Sequence, residues 1–295
     1  MRRMPRYLAY LSWVLPPILA SACGKKTETN SDPTFTLAFD GVVGGELFSC
    51  DKALTGIGLT NATVQPKDFR FYLYDVSLVA DDGSIEKLSL EQDQNWQRDN
   101  IALLDFADDK GLCNTGEAEV RKIVKGTAPG KKYTGVEFNL GVPESMNHLD
   151  AATAPAPLNR PGMWWSWKGG YKFTRIEIQT TKGQTYYFHL GATDCTGTVE
   201  AGFKCAANNV PRIKLTDFDP TQDQIHFDLK KLYADSDVEA AVNFAAGDVV
   251  SGCMAFPKDT ECKVLFEKFA LSYENVTLVP DTTQKVFVIK KGGGA

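Results

Sequence analysis

Histidine is scarce in this chain, so each one is a candidate for chemistry. The three are His148 in "ESMNHLD", His189 in "YYFHLG" and His226 in "QIHFDL". Neutral imidazole is a good copper ligand, and soft thioethers such as those of Met146 and Met163 suit Cu(I). Between the first two histidines runs "MWWSWKGGYKF", with Trp164, Trp165 and Trp167 closed by Gly169-Gly170. In a strand Trp165 and Trp167 share one face while Trp164 and Ser166 take the other, so one pair can simply fill a core. The other readings are a sugar-stacking platform and chemistry at an indole. If 163–168 and 185–190 are neighbouring strands, His148, His189 and an indole converge on one face. Tyr171, Tyr187 and Trp167 then offer apolar surroundings or an electron route.

Other chemistries find little support. There is no G-x-S-x-G elbow, no H-E-x-x-H and no phosphate-binding loop. Asp68, Asp75, Glu137 and Glu144 are scattered without the spacing of a glycosidase pair, and they read as solvated strand ends or loop residues. The net charge is -5, and no Lys/Arg cluster offsets it. Nucleic acid is therefore not an expected partner.

The elements that must position these residues begin after a leader. Arg2, Arg3 and Arg6 precede the apolar run "YLAYLSWVLPPILASA", and Cys23 and a polar stretch follow. This order reads as a signal peptide over 1–22. "LASAC" looks like a lipobox, which makes Cys23 a lipid anchor and 23–33 a lipidated tether. The expected location is the periplasm or outer membrane of a Gram-negative bacterium. Six further cysteines, Cys50, Cys113, Cys195, Cys205, Cys253 and Cys262, suit disulfides in an oxidising compartment. Cys195/Cys205 and Cys253/Cys262 are near enough to clip local loops, which leaves Cys50 for Cys113, although spacing alone selects no pairing. No C-x-x-C spacing points to zinc.

Short β-rich runs dominate the remainder: "FTLAFDG", the pair flanking Asp82-Gly83, "WQRDNIALLDF", "YTGVEFNLGV", "FTRIEIQTT", "TYYFHLGA", "VPRIKLTDF", "QIHFDL", "YENVTLV" and "KVFVIK". They predict a mainly β chain, an antiparallel β-sandwich or barrel-like Greek key with long loops and minor helices near 229–247 and 264–272. The expected domain spans 34–230, and a C-terminal extension, 231–295, packs on it. Residues 141–167 read as a long functional loop.

In order, "FDGVVGGELFSC", "PKDFRFYLYDVSL", "WQRDNIALLDF", "GLCNTG", "FNLGVPESMNHLD", "APLNRPGMWWSWKGGYKF", "FHLGATDC" and "VPRIKL" resemble the MbnP-type copper-binding family over roughly residues 35–230. The resemblance implies a non-enzymatic, exported copper-binding protein. Its site is matured when a dihaem cytochrome c peroxidase-like partner oxidises a tryptophan to kynurenine. It also implies that the family cysteines are Cys50, Cys113, Cys195 and Cys205, and that the metal residues are His148, His189, Trp165 and Trp167, with Trp165 the preferred oxidised position. Met146, Met163, Tyr171, Tyr187 and His226 are candidates to complete or surround that site. Cys253 and Cys262 depart from the four-cysteine pattern. The alternative function is a carbohydrate- or surface-binding β-sandwich lipoprotein that uses exposed tryptophans.

Overall fold

Strict alternation along "TFTLAF" buries Phe35, Leu37 and Phe39 on one face of the strand Thr34–Val43, as a half-buried strand requires. In the computed structural model this strand lies inside a six-stranded sheet, between Gln224–Asp228 and Ile123–Thr127. The structure describes residues 31–115, 118–244, 248, 250–273 and 283–292. The expected leader and the Cys23 anchor lie outside them, as does most of "YENVTLV".

A second sheet of ten strands is organised around Ala62–Ala80, one edge of which pairs with Thr174–Thr180 along its first half and Tyr133–Leu140 along its second, while Ile101–Asp105 pairs with the other edge. Neither sheet closes on itself, so the molecule is a sandwich rather than a barrel. The two inner faces meet through phenylalanine. Phe227 of the first sheet contacts Phe69 and Phe71 of the second at ring separations of 5.1 and 5.3 Å. Phe39 and Phe287 both reach Phe138.

The hairpin expected at Asp82-Gly83 is present. Ala62–Ala80 turns into Ile85–Lys87 with Ala80 N–H donating to the Ser84 carbonyl, and Gly83 supplies the positive φ of 82°. Two pairings depart from the antiparallel expectation. Gln224–Asp228 runs parallel to Thr34–Val43, and Gly252–Cys253 runs parallel to Thr185–Phe188. In both cases the partners are far apart in sequence, and a parallel pair needs such a long crossover. Helix is confined to Leu229–Tyr233, Cys262–Lys268 and a 3-10 turn at Pro161–Met163 among the described residues.

The same alternation that sends Phe69 and Phe71 inward sends Asp68, Arg70 and Tyr72 to the outer face of the second sheet, yet all three are buried there. The 141–167 loop covers them. Tyr72 Oη donates to the Pro157 carbonyl at 2.9 Å, Tyr171 Oη to the Leu158 carbonyl at 2.8 Å and Arg98 Nε to the Ala156 carbonyl at 2.9 Å. The protein thus has a second buried layer outside the sandwich, and His189, Met163 and Tyr171 of the candidate residues lie in it.

Phe227→Ala removes a ring shared by both sheets. It is expected to cost about 3–5 kcal/mol, seen as a lower denaturant midpoint at unchanged slope. A loss below about 1 kcal/mol would contradict a core that depends on this ring.

Candidate metal centre on the outer face of the second sheet

Strand register builds the first half of the site. Thr174–Thr180 lies antiparallel to the long strand with Arg175 opposite Arg70 and Glu177 opposite Asp68. Like charges directly opposite one another repel. Here each is neutralised along its own strand and across the diagonal. Arg70 Nε and Nη2 donate to the two oxygens of Asp68 at 2.8 and 2.5 Å, Arg175 Nε donates to Glu177 Oε1 at 2.7 Å, and Arg175 Nε lies 3.2 Å from Asp68 Oδ2. Asp68 is therefore a buried ion-pair member, not the solvated strand end the sequence implied. Glu137 also departs from that reading, lying mid-strand with a mostly buried side chain paired to Arg212 at 2.9 Å, whereas the exposed Glu144 fits it.

His189 follows Thr185–Phe188 on this outer face and is 3% exposed. Its Nε2 lies 2.9 Å from Glu177 Oε1. Burial would raise the Glu177 carboxyl, but hydrogen bonds from His189 and Arg175 together with the Arg175 charge carry it down to about 2. An ionised carboxylate only accepts, so Nε2 carries the proton and Nδ1 keeps its lone pair. Nδ1 is buried and has no hydrogen-bond partner. Burial also holds the imidazole below its ordinary pKa, against the pull of Glu177. Above this cluster Lys172 Nζ donates to the Gly162 carbonyl at 2.9 Å, and burial followed by the nearby Arg175 charge pushes its ammonium down to about 8.

The second half comes from the long loop. His148 Nδ1 lies 2.8 Å from the Trp167 carbonyl, an acceptor only, so this ring is protonated at Nδ1 and its bare Nε2 faces the Asn147 amide nitrogen and Cys205 Sγ, each at 3.3 Å. Phe203 lies against the ring, 5.0 Å away between centroids. The two imidazoles have separate partners. Trp165 stands between the segments that carry them. Its ring sits so close to the backbone just past His189 that a Cβ at Gly191 would fall 2.4 Å from it, and Trp167, which holds His148, is two residues further on.

The tryptophan segment does not form the strand expected of it. Trp164–Ser166 pairs with Gly170–Tyr171 across the turn, not with 185–190, and its register shifts between Trp164 and Ser166. Trp167 falls in that turn, and its ring meets Trp164 edge to face at 5.8 Å. The predicted shared face of Trp165 and Trp167 is thereby broken. Gly170 has a φ of 70° and leaves no room for a Cβ beside Asn147, so the Gly169-Gly170 pair is a bend at a close approach. Trp165 lines a cleft of about 520 Å³ with Lys168, Asp194, Cys195 and Phe256, whose ring stacks on it at 6.0 Å. The Trp164 and Trp165 indole nitrogens are both buried without a partner.

The remaining candidates are dispersed. Met163 and Tyr171 are fully buried beneath the tryptophan ribbon, Met146 packs on the core, and Tyr187 lies 5.3 Å from His189 between ring centroids. His226 sits in the other sheet, in register with Asp40. Disulfides join Cys50–Cys113, Cys195–Cys205 and Cys253–Cys262. Among the described residues, the two three-residue groups of ligand-type atoms, His148/Cys195/Cys205 and Cys253/Asp259/Cys262, each contain one of these disulfides. Their sulfurs therefore lack the thiolate that a metal requires. Sequence reasoning missed Glu177, Arg175, Arg70, Asn147 and Phe256. Only the first three left a trace, as opposite charges two residues apart in "DFR" and "RIE".

The chain matches the MbnP family model over residues 32–255. A solved structure, "MbnP from Methylosinus trichosporium", is similar with a TM-score of 0.77 and 24% identity, covering 90% of this chain and 100% of that one. At that identity the likeness shows the fold. No curated protein sequence matches.

The Cys253–Cys262 loop that carries Phe256 also buries Asp259 and half-buries Glu261. Desolvation raises Asp259 to about 6 and Glu261 to about 7. Both bind protons more tightly when folded than when unfolded, where carboxyls titrate near about 4. Their contribution to stability is therefore complete below about 4 and is lost as pH rises through about 6 and about 7. The denaturation midpoint should fall between pH values of about 5 and about 8, and Glu261→Gln should shrink that fall. An identical fall in the variant would contradict this assignment.

Proposed function

Because the chain belongs to the MbnP family, we propose that it is an exported copper-binding protein with no catalysis of its own. In this reading a dihaem cytochrome c peroxidase-like partner matures the site by oxidising Trp165 to kynurenine, and the protein is carried as a periplasmic or outer-membrane lipoprotein through Cys23. The observation that carries the metal reading is His189 Nδ1, a buried lone pair with no hydrogen-bond partner on a ring whose other nitrogen is fixed by Glu177. A carboxylate behind a histidine is the usual outer partner of a metal-ligating imidazole. His148, fixed through Nδ1 on the Trp167 carbonyl, offers its Nε2.

Indole nitrogen donates but does not accept, so an unmodified tryptophan is a poor ligand. Oxidation by the partner, with dioxygen or peroxide as the oxidant, breaks the C2–C3 bond of the five-membered ring and places one oxygen on each carbon, and hydrolysis of the resulting formamide then releases C2 as formate. An aryl amine and a ketone are left in the position of Trp165. Trp165 is favoured over Trp164 because it borders the cleft, where a ring-opened side chain finds room, and over Trp167 because its ring sits against the backbone next to His189. Two imidazoles and the aryl amine would hold a soft, low-coordinate ion. When bound, copper would supply the redox-active cargo. The neutral donors come from this chain.

Protein produced together with the partner should yield a peptide spanning Trp165 whose mass reflects the gain of one oxygen and the loss of one carbon. It should bind copper with an affinity that His148→Ala and His189→Ala each reduce by at least about 10-fold. Full copper affinity with unmodified tryptophans would remove the kynurenine step. Glycan binding that depends on Trp167, with no response to copper, would replace this reading with the carbohydrate-binding one.

A further inference from the structure

We infer that Glu177 is the positioning residue for His189, and that the crossed ion pairs of Asp68, Arg70 and Arg175 hold Glu177 in place so that the imidazole presents a bare Nδ1 before any metal arrives. The inference rests on the copper reading above for the identity of the ligand, and on geometry alone for the positioning.

A single carboxylate oxygen, Glu177 Oε1, receives both Arg175 Nε at 2.7 Å and His189 Nε2 at 2.9 Å. The Arg175 Nε that fixes this oxygen is also 3.2 Å from Asp68 Oδ2, and that oxygen accepts in addition from Arg70 Nη2 and, at 3.0 Å, from Thr115 Oγ1. Asp68, Arg70 and Glu177 are all under 9% exposed. Backbone register fixes the order of charges, since Arg70 and Asp68 face Arg175 and Glu177 on adjacent strands. Any shift of the Glu177 carboxylate breaks a contact to Arg175, and Arg175 cannot follow without leaving Asp68. A fixed, charged acceptor specifies one tautomer of its histidine partner. A freely rotating one would allow either.

A buried ion cluster is an expensive way to stabilise a fold, and apolar residues of similar volume often do as well. Its use here is explained by what it orders. The far end of the cluster reaches Asp105, 3.9 Å from Arg70 Nε, and the near end reaches His189, whose Nδ1 is buried without a hydrogen-bond partner.

The tautomer is read directly from long-range proton–nitrogen correlation spectra of the metal-free protein labelled at histidine nitrogen. The wild-type spectrum should show His189 protonated at Nε2 and bare at Nδ1. In Glu177→Met, which keeps the volume and removes the acceptor, the pattern should redistribute toward the Nδ1-protonated form, and Cu(I) affinity measured by chelator competition should fall about 10–100-fold. Glu177→Gln, which retains an acceptor oxygen, should recover most of the wild-type pattern. A wild-type His189 protonated at Nδ1 overturns the inference without reference to any variant. An unchanged nitrogen pattern in Glu177→Met overturns it as well. Failure of the wild-type protein to bind copper would overturn the functional reading instead, and the nitrogen spectra would still decide this one.

Discussion

Two arginines and two carboxylates placed in register on adjacent strands set the constraint under which the outer half of this protein is built. Arg70 faces Arg175 and Asp68 faces Glu177, an arrangement that repels when read straight across and attracts along each strand and across the diagonal. Exposed to water, such pairs contribute little. Buried, they demand that every partner be present, because an unpaired buried charge costs far more than the pair returns. The cluster therefore needs a roof that excludes water and satisfies the remaining donors. The Gly162 carbonyl, in the turn just before the tryptophans, does so by accepting from Lys172 Nζ and Arg175 Nη1. The position of the tryptophan ribbon follows from the charges beneath it.

This dependence explains why a loop of irregular backbone can run across the outer face of the second sheet. Its carbonyls at 156, 157 and 158 are taken by Arg98, Tyr72 and Tyr171, so the backbone polar groups that burial would otherwise strand are paired. Asn147 performs the same service for the ribbon. Its side-chain oxygen accepts from Tyr171 N–H while its amide faces His148 Nε2. One buried side chain thereby couples the bend at Gly170 to the orientation of a candidate ligand.

Much of the sandwich was legible because period-two burial and turn chemistry are local. Phe35, Leu37 and Phe39 alternate visibly, and Asp82-Gly83 marks its hairpin. The parallel pairings were not legible, since Gln224–Asp228 and Thr34–Val43 meet only after the chain has crossed the other sheet. The family motifs carried the candidate histidines and cysteines. Spacing did not reveal that Asp68 is buried, because nothing local distinguishes a carboxylate under a roof from one in water. The tryptophan segment misled for a related reason. Alternation assigns Trp165 and Trp167 to one face only if the strand continues, and the Gly169-Gly170 bend turns it back after Ser166.

The second cysteine pair of the C-terminal region takes on meaning in the same terms. Gly252–Cys253 adds to the sheet beside Thr185–Phe188, and the Cys253 carbonyl accepts from His189 N–H at 2.9 Å. The disulfide to Cys262 closes the intervening loop, which carries Phe256 onto the Trp165 ring. One clip thus fixes the backbone of the buried histidine from one side and covers the indole from another. Gly252, at a φ of 92°, permits the close approach, since a Cβ there would fall 2.1 Å from the Tyr187 carbonyl oxygen. Loop-closing disulfides act mainly by narrowing the unfolded ensemble. This one also closes the loop whose aromatic ring, Phe256, forms a wall of the Trp165 cleft. A chain with only the first four cysteines would have to hold that wall by packing alone.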